Sequence, residues 1–511
     1  MNMTKQSRHL ALCLSLSVTL LAAAAPQSPA PAKPSTPRPN ILVVLSDDHS
    51  HPFLGCYGNP DIKTPNLDRF ASQGIRFDRA YVGTPQCVPS RATFMTGRSA
   101  VAINMTRFSA PLPRDVVIYP EILRAAGYFT GVAGRTYHLD GSNMPPETKS
   151  VVDANHLVTF PDRLDFVKVS GNRPVILQQY REFLDAVPKE KPFCLQLCYS
   201  DPHRPYDRDA VNPPYDPARL TLPAHYPDTP GVRQDYADYL GEISRFDSDF
   251  GDVLAELEKR GLADNTLVFF FGDNGGAQPR GKGTLYELGI HVPMLVRWPS
   301  AVKAGQTTDT LVSGEDLAPT VLAAAGLEAP ASMTGHNLLP LLLGQPYEPR
   351  THVFAQRGAH GSGLPNGSNA FDLGRTIVTP THKLIYTATW QLPYAPVDFD
   401  NMPFWKEVRA LADAGQLPPE VVQRYFSPSR PMFELYDLKA DPNEFHNLIG
   451  TPDAAEIEHD LKALLQERMI LDRDFVPLPV PPSAGAASKK AAANQPSGKK
   501  AARKKAATAQ P

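Results

Sequence analysis

Cysteine is scarce: the 511 residues hold five, and neither a disulfide framework nor a paired C-x-x-C zinc signature can be built from them. Cys13 falls inside an apolar run near the N-terminus, while Cys194 and Cys198 share the strand-like segment PFCLQLCYS. Four extended residues span roughly 13 Å, beyond the reach of a disulfide. Long hydrophobic runs are scarce too. After residues 10–25 no stretch approaches the ~18–20 apolar residues that cross a bilayer. No internal repeat is evident. Charge of one sign is also missing, with 51 Lys+Arg against 53 Asp+Glu. Lys5 and Arg8 lie in the first 25 residues and seven further basic residues lie in 481–511, which has no acids, so the rest of the chain carries a net charge of −11. A net acidic body argues against a dedicated nucleic-acid binder and leaves room for a local basic pocket that holds an anionic substrate.

Apolar material and proline are plentiful. A 42% hydrophobic composition supplies a core and excludes wholesale disorder. The 53 prolines, about twice the usual share, predict many ordered turns. At about 150 residues per domain the length suggests roughly three domains, or two unequal ones. Residues 1–25 read as a secretory signal: Lys5 and Arg8 precede the run Leu10–Ala25, which closes in small residues suited to an A-x-A cut. An uncleaved anchor is the alternative, although the run is barely long enough to span. Residues 26–38 form a Pro/Ala/Ser linker. Residues 476–511 form a disordered basic Ala/Lys/Pro-rich tail, which cannot bury enough surface to offset its ordering entropy. The expectation is an exported protein, periplasmic or secreted, with no stable membrane insertion after signal removal.

From Asn40 onward, strand-like and helix-like segments alternate. ILVVL (41–45) is a short continuous apolar run, as expected of a strand buried on both faces. Helical patterns follow at Asn66–Gln73, after Pro89 and at Ile122–Ala126, and strands are expected at Tyr128–Val132, Phe193–Tyr199, TLVFFF (266–271) and Pro293–Trp298. Val175–Ala186, Gln234–Arg260 and Leu317–Ala325 are further helices, the second ended by Gly261. This order predicts an α/β fold over 39–345, a large mostly parallel sheet sandwiched by helices. Past Pro346, strand-like pieces occur without helical crossovers and a helix is expected near Ala454–Arg468. They predict a smaller C-terminal α+β domain, 346–475, with an antiparallel sheet. In parallel sheets the ligand crevice lies beyond the carboxyl ends of the strands, so the residues just after each strand merit inspection.

Asp47 and Asp48 follow the first strand, and Asp273 and Asn274 follow TLVFFF. Each pair alone is a common turn or cap sequence. At corresponding strand ends, four oxygen-bearing side chains can hold a hard cation, and the lack of histidine favours calcium or magnesium over zinc. The most specific segment is TPQCVPSRATFMTGR (84–98), which puts Cys87 at the mouth of a helix and Arg91 one turn on, on the same face. The helix dipole and Arg91 would both favour negative charge beside Cys87. Taken alone, the segment holds either an activated thiolate or a buried cysteine in a capped helix.

CVPSR (87–91) followed by TGR (96–98) resembles the signature of type I sulfatases, in which this cysteine is oxidised to formylglycine. SDDH (46–49), GDNGG (272–276), GKGTLYELGIHVP (281–293) and ELYDLKADPNEFHNL (434–448) fall in the same family's order, so the resemblance spans most of residues 39–475. It implies an alkaline-phosphatase/sulfatase-like sandwich and one calcium ion, bound by Asp47, Asp48, Asp273, Asn274 and an oxygen of modified Cys87. Arg91 would orient the formylglycine. DPHRPY (201–206) resembles the family's histidine-bearing loop, which makes His203 and Lys282 the pair that binds sulfate and assists the leaving group. GRTYHLDG (134–141) resembles the loop where sulfatases usually carry Gly-Lys-x-His. Here Arg135 replaces the lysine, giving a planar fork for a point charge, and His138, the implied contact of the formylglycine, stands one residue further on. The implied partners are a sulfated saccharide substrate and a maturation enzyme that generates formylglycine.

The implied chemistry suits these residue types. A hydrated aldehyde at residue 87 offers one hydroxyl to attack sulfur and a second through which the sulfated diol collapses and expels sulfate. Cations hold the sulfate oxygens, and His203 or Lys282 protonates the departing atom. The stretch 375–420, from RTIVTPTHKLIY through WQLPYAPVDFD to FWKEVRALADAGQLPPE, resembles more loosely the heparan N-sulfatase (sulfamidase) group. That implies N-sulfoglucosamine of heparan-type glycans as substrate. The alternatives are O-desulfation of another sulfated sugar or an aryl sulfate, a phosphodiesterase or phosphonate hydrolase of the same superfamily, and an exported protein that binds sulfated glycan without turnover. Asp273-Asn274 favours sulfate over phosphorus, and retention of Cys87, Arg91, His203 and Lys282 together counts against binding alone.

Overall fold

The apolar run Asn40–Ser46 becomes the central strand of an eight-stranded sheet. Its side chains divide between two cores. Ile41, Val43 and Leu45 face one apolar cluster and Leu42 and Val44 the other, all fully buried. A run without polar alternation requires such a two-faced burial, and each side chain so buried contributes about 1.5–3 kcal/mol. The computed structural model describes residues 38–479 apart from 109–110, 136–137, 141–145, 171–172 and 361–370. The expected signal (1–25), the linker as far as 37 and the tail from 480 lie outside the described residues. Among the described residues, no helix is long and apolar enough to cross a membrane.

Across the large sheet the strands run in the order Phe166–Val169, Phe129–Gly134, Phe193–Cys198, Asn40–Ser46, Thr266–Gly272, Met294–Arg297, Ile75–Phe77 and Gln306–Thr308. Five of the seven pairings are parallel, and the two around Met294–Arg297 are antiparallel. The sheet is therefore mostly parallel and helix-covered, as the alternation predicts. The long helix Pro230–Lys259 starts four residues before the expected Gln234. Thr229 caps it by accepting a hydrogen bond from Val232 N at 3.2 Å, and Pro230 occupies its first turn. Cys194 and Cys198 are both free and buried in the Phe193–Cys198 strand.

The second sheet is antiparallel, in the order Val353–Ala359, Phe371–Val378, His382–Thr387 and Phe433–Asp437. Phe354, Ile377, Leu384, Tyr386 and Leu435 pack against Leu461, Leu465 and Met469 of the helix Ala455–Leu471. Two helices that the pattern reading lacks, Pro403–Asp413 and Pro419–Phe426, bury Trp405, Val408 and Tyr425 in the same cluster as the long helix. Glu407 accepts hydrogen bonds from Gly231 N at 2.9 Å and from Thr229 Oγ1 at 3.1 Å. These contacts tie the chain just after Asp398 to the large α/β layer.

Candidate active site

Parallel pairing brings four strand ends level. Ser46 pairs with Gly272, Leu45 with Cys198 and Gly134 with Cys198, so Asp47, Asp273, Arg135 and the loop to His203 leave the sheet side by side. Asp47 N donates to Asp201 O at 3.1 Å and Asp273 N to Ser46 O at 3.0 Å, which holds the ends in step. Gly134 turns the chain at φ +93, and a Cβ there would lie 2.1 Å from the Cys198 carbonyl oxygen, so only glycine fits.

The buried helix Cys87–Thr96 opens onto this edge. Pro89 sits in its first turn, where no helical N–H bond is lost, and Gly97 ends it at φ +62. Cys87 Sγ lies 3.5 Å from Asp47 Oδ1 and 3.9 Å from Asp48 Oδ1. Arg91, one turn on, is held by two acids. Its Nη2 lies 2.7 Å from Asp273 Oδ2 and 3.0 Å from Asp47 Oδ2, and its Nε donates to Asp273 Oδ2 at 3.0 Å. Burial, and then the Asp47 carboxylate, push the Cys87 thiol well up despite Lys282. Of the two readings of this segment the buried cysteine is the one these contacts favour, since the surrounding acids disfavour the ionised thiol.

Asp47, Asp48, Asp273 and Asn274 have no solvent exposure. Burial raises Asp48 to about 6, with Asp47 adding to the effect and Lys282 opposing it. Burial and Asp47 also raise Asp273 to about 6. At Asp47 burial acts in the same sense but is outweighed by Arg135, His203, Arg91 and Lys282, so that carboxyl is held low. Asn274 donates both amide hydrogens, to Asp48 Oδ1 at 2.8 Å and Gly275 O at 2.9 Å. Its buried Oδ1 has no hydrogen-bond partner among the described residues. Ligand atoms of Asp47, Cys87 and Asp273 lie within 4.8 Å of one another. Crowded carboxylates under strain from burial, beside an unpartnered amide oxygen, are a donor set suited to a hard divalent cation. At residue 87 an oxygen suits such a cation better than a thiol does.

Positive groups ring the opposite side. Arg135 ion-pairs with Asp47 Oδ2 through Nη1. Lys282, buried, places Nζ 2.9 Å from Asp48 Oδ1 and 2.7 Å from Asp398 Oδ2. His203 puts Nε2 3.8 Å from Asp48 Oδ2 and 3.9 Å from Asp398 Oδ2, while Nδ1 donates to the Arg204 carbonyl. That bond fixes the tautomer and leaves Nε2 facing the centre. Burial, then Lys282, lower the ring to about 4. Arg204 is itself anchored on Asp235 at 2.6 Å and lies over the Tyr206 ring at 4.1 Å. His138 is buried at φ +58, with its ring 5.5 Å from Phe108. Burial and then Arg91 push its imidazole well down.

All ten residues singled out from the sequence thus gather at one strand edge. Three others join them without a sequence signal for their role. Asp398 comes from the far end of the chain and meets Lys282. His360 Nε2 lies 3.4 Å from Asp398 Oδ1, and Gln86 Nε2 donates to His360 Nδ1 at 3.0 Å. VDFD contains Asp398, but its spacing from Lys282 obeys no local rule that pattern reading could use.

Fold and site together define an α/β hydrolase whose reaction centre combines buried acids with cations that can hold an anion. The chain belongs to the sulfatase family: residues 39–327 match the model described as Sulfatase. It is a sulfuric ester hydrolase, and residues 280–386 also match the model described as N-sulphoglucosamine sulphohydrolase, C-terminal. Among curated relatives, the N-acetylglucosamine-6-O-sulfatase of Bacteroides thetaiotaomicron is 25% identical, covering 86% of this chain and 87% of its own. The human N-sulphoglucosamine sulphohydrolase is 28% identical, covering 82% of this chain and 87% of its own. A solved structure of BT4656 in complex with its substrate D-glucosamine-2-N,6-O-disulfate has the same fold, with a TM-score of 0.64 and 23% identity over 86% of this chain and 99% of that one.

Proposed function

We propose that this protein is an exported, calcium-dependent sulfatase that uses formylglycine at residue 87 to desulfate saccharides, with N-sulfoglucosamine of heparan-type glycans as its substrate. The observation that carries the reading is the convergence of Cys87 with Asp47, Asp48, Asp273 and Asn274 on one side, and with Arg135, His203 and Lys282 on the other. The C-terminal match at residues 280–386 and the human relative support the sulfamate substrate. The N-acetylglucosamine-6-O-sulfatase relative favours the second reading, O-desulfation.

Asp47, Asp48, Asp273 and Asn274 would hold the cation together with an oxygen of residue 87. Bound there, calcium supplies positive charge that favours an anionic oxygen at residue 87 and screens the incoming sulfate from the acids. Formylglycine, made by a maturation enzyme after synthesis, supplies the attacking oxygen that a neutral, buried thiol lacks. Arg91 keeps Asp47 and Asp273 in place through its two ion pairs. Arg135, His138 and Lys282 face the sulfate oxygens, where fixed donors in a water-poor pocket are worth most. Lys282 delivers a proton to the departing atom, an effect of about 10²–10⁴-fold, and His203 shares that role once the anionic substrate brings a proton to its Nε2.

The test is sulfate release from a panel of defined N- and O-sulfated saccharides and an aryl sulfate, with peptide mass analysis of residue 87 in the same preparation. Turnover with residue 87 converted, lost on chelation and restored by calcium, is the expected result. Converted protein that releases sulfate from none of these compounds sinks the reading, and restoration by zinc alone sinks the metal assignment.

A further inference from the structure

One acid at this centre stands outside the cation cluster. Asp47, Asp48 and Asp273 are fully buried, whereas the Asp398 side chain is 29% exposed. Its Oδ2 lies 2.7 Å from Lys282 Nζ and 3.9 Å from His203 Nε2, the two groups assigned to the departing atom. A departing atom that reaches both and lies on the Asp398 side of the pair is within reach of that carboxylate. The other oxygen is held by a relay. Gln86, next to Cys87, donates to His360 Nδ1, so His360 Nε2 carries the hydrogen and faces Asp398 Oδ1 at 3.4 Å. Asp398 also adopts a left-handed φ of +66, a conformation that aspartate tolerates but that needs support from its surroundings.

We propose that Asp398 is the residue that selects a sulfamate over a sulfate ester. The inference rests on the sulfatase reading above. In N-sulfated glucosamine the atom between sulfur and the sugar is a nitrogen that carries one hydrogen. In an O-sulfate it is an oxygen with lone pairs only. A carboxylate beside that atom accepts the sulfamate N–H and repels the ester oxygen, and an unmatched polar contact in a closed site discriminates strongly. The reaction keeps the same preference. The oxygen of residue 87 forms the new bond to sulfur as the S–N bond breaks, and the bonding pair stays on nitrogen. Nitrogen takes a proton from Lys282 to leave as an amine. A second proton from water makes the ammonium ion, which pairs with the Asp398 carboxylate, whereas a departing alcohol gains no such partner.

The experiment compares kcat/KM for glucosamine N-sulfate and glucosamine 6-O-sulfate in the wild type, Asp398→Asn and His360→Ala. The wild type is expected to prefer the N-sulfate. Asp398→Asn should lower the N-to-O ratio at least tenfold, because an amide can turn a donor toward the ester oxygen. His360→Ala, which frees the carboxylate without touching Lys282, should lower it two- to fivefold, and it carries the test should the Asn variant fail to fold. Equal losses on both substrates would reduce Asp398 to a positioning partner of Lys282 and overturn the proposal. A wild type that cleaves the 6-O-sulfate but not the N-sulfate overturns the selection and leaves the sulfatase reading standing. A wild type that cleaves neither, nor any other sulfated compound, defeats that reading itself.

Discussion

Around the helix Ala455–Leu471 each buried acid bonds an arginine, and Arg468 serves two of them. Arg468 bonds Glu315 at 3.0 Å and Asp472 at 2.7 Å, Arg375 bonds Asp474 at 2.8 Å, and Ser99 Oγ completes Asp472. At the strand ends four carboxylates, Asp47, Asp48, Asp273 and Asp398, face three permanent cations, Arg91, Arg135 and Lys282. The consequences differ in sign. Burial would raise Glu315, but Arg468 and Arg350 outweigh it and hold that carboxyl low. At Asp48 and Asp273 burial wins, and both rise to about 6. Both regions bury acids in a water-poor interior, so burial alone does not mark a functional site. Carboxyls that their neighbours leave raised do, because the positive charge that would settle them must come from something the site binds.

The contrast is broken most directly at Cys87. Cys87→Ala removes the only side chain of the acid cluster that can become a nucleophile. Turnover of any sulfate should fall by about 10³-fold or more, while thermal stability stays close to that of the wild type. Arg468→Met should show the reverse pattern, with the folded enzyme turning over normally. A Cys87→Ala variant that keeps a tenth of its activity would separate the acid cluster from catalysis.

The cationic side is sharpened by leaving groups. A sugar amine or alkoxide needs a proton as it departs, whereas an activated aryl oxide is already stable as an anion. His203→Ala and Lys282→Ala should therefore lower kcat/KM on saccharide sulfates by about 10²–10³-fold and on an activated aryl sulfate much less. Equal losses on both substrates would move these residues to sulfate binding.

Much of this centre is legible in the sequence for a simple reason. A buried parallel strand is a continuous apolar run, its end is sharp, and the chemistry follows within one or two residues, as with Asp47 after Ser46 and Asp273 after Gly272. Cys87, Arg91, His203 and Lys282 stand in short local motifs whose family order supplies what spacing alone does not. Asp398 and His360 are different. They reach the centre because the small sheet and the helix Pro403–Asp413 pack where they do, and that packing depends on Trp405 and Glu407 meeting the long helix. No local pattern encodes such a meeting. The helix starts at Pro403 and Pro419 escape pattern reading because proline marks a turn as readily as a first helical turn, where it loses no bond. The Arg91 partners are also absent from any local pattern, since only the level strand ends bring Asp273 and Asp47 to its guanidinium.

Stability gives the smallest and most discriminating test of the comparison. Arg468→Met leaves Glu315 with the Thr334 hydroxyl and Asp472 with Ser99, but both carboxylates lose their buried cation. It should cost about 3 kcal/mol, read as a lower melting temperature. Asp48→Asn should act in the opposite direction in protein freed of metal by a chelator. The folded pKa of Asp48, about 6, lies above the ordinary 3.8, so its ionised form weakens the fold. That penalty is complete above pH 6 and disappears as the pH falls below about 4, where the carboxyl is protonated in both folded and unfolded chains. The Asn variant should therefore melt higher than the wild type at pH 8, by about 1 kcal/mol of stability after allowing for the lost Lys282 contact, and match it near pH 4. Calcium should reverse the order at pH 8, because it stabilises only the chain that keeps the Asp48 carboxylate as a ligand. If Asp48→Asn instead lowers the melting temperature of the metal-free protein at pH 8, as Arg468→Met does, the acids at the strand ends are satisfied by their own cations. The difference between the two regions would then not exist.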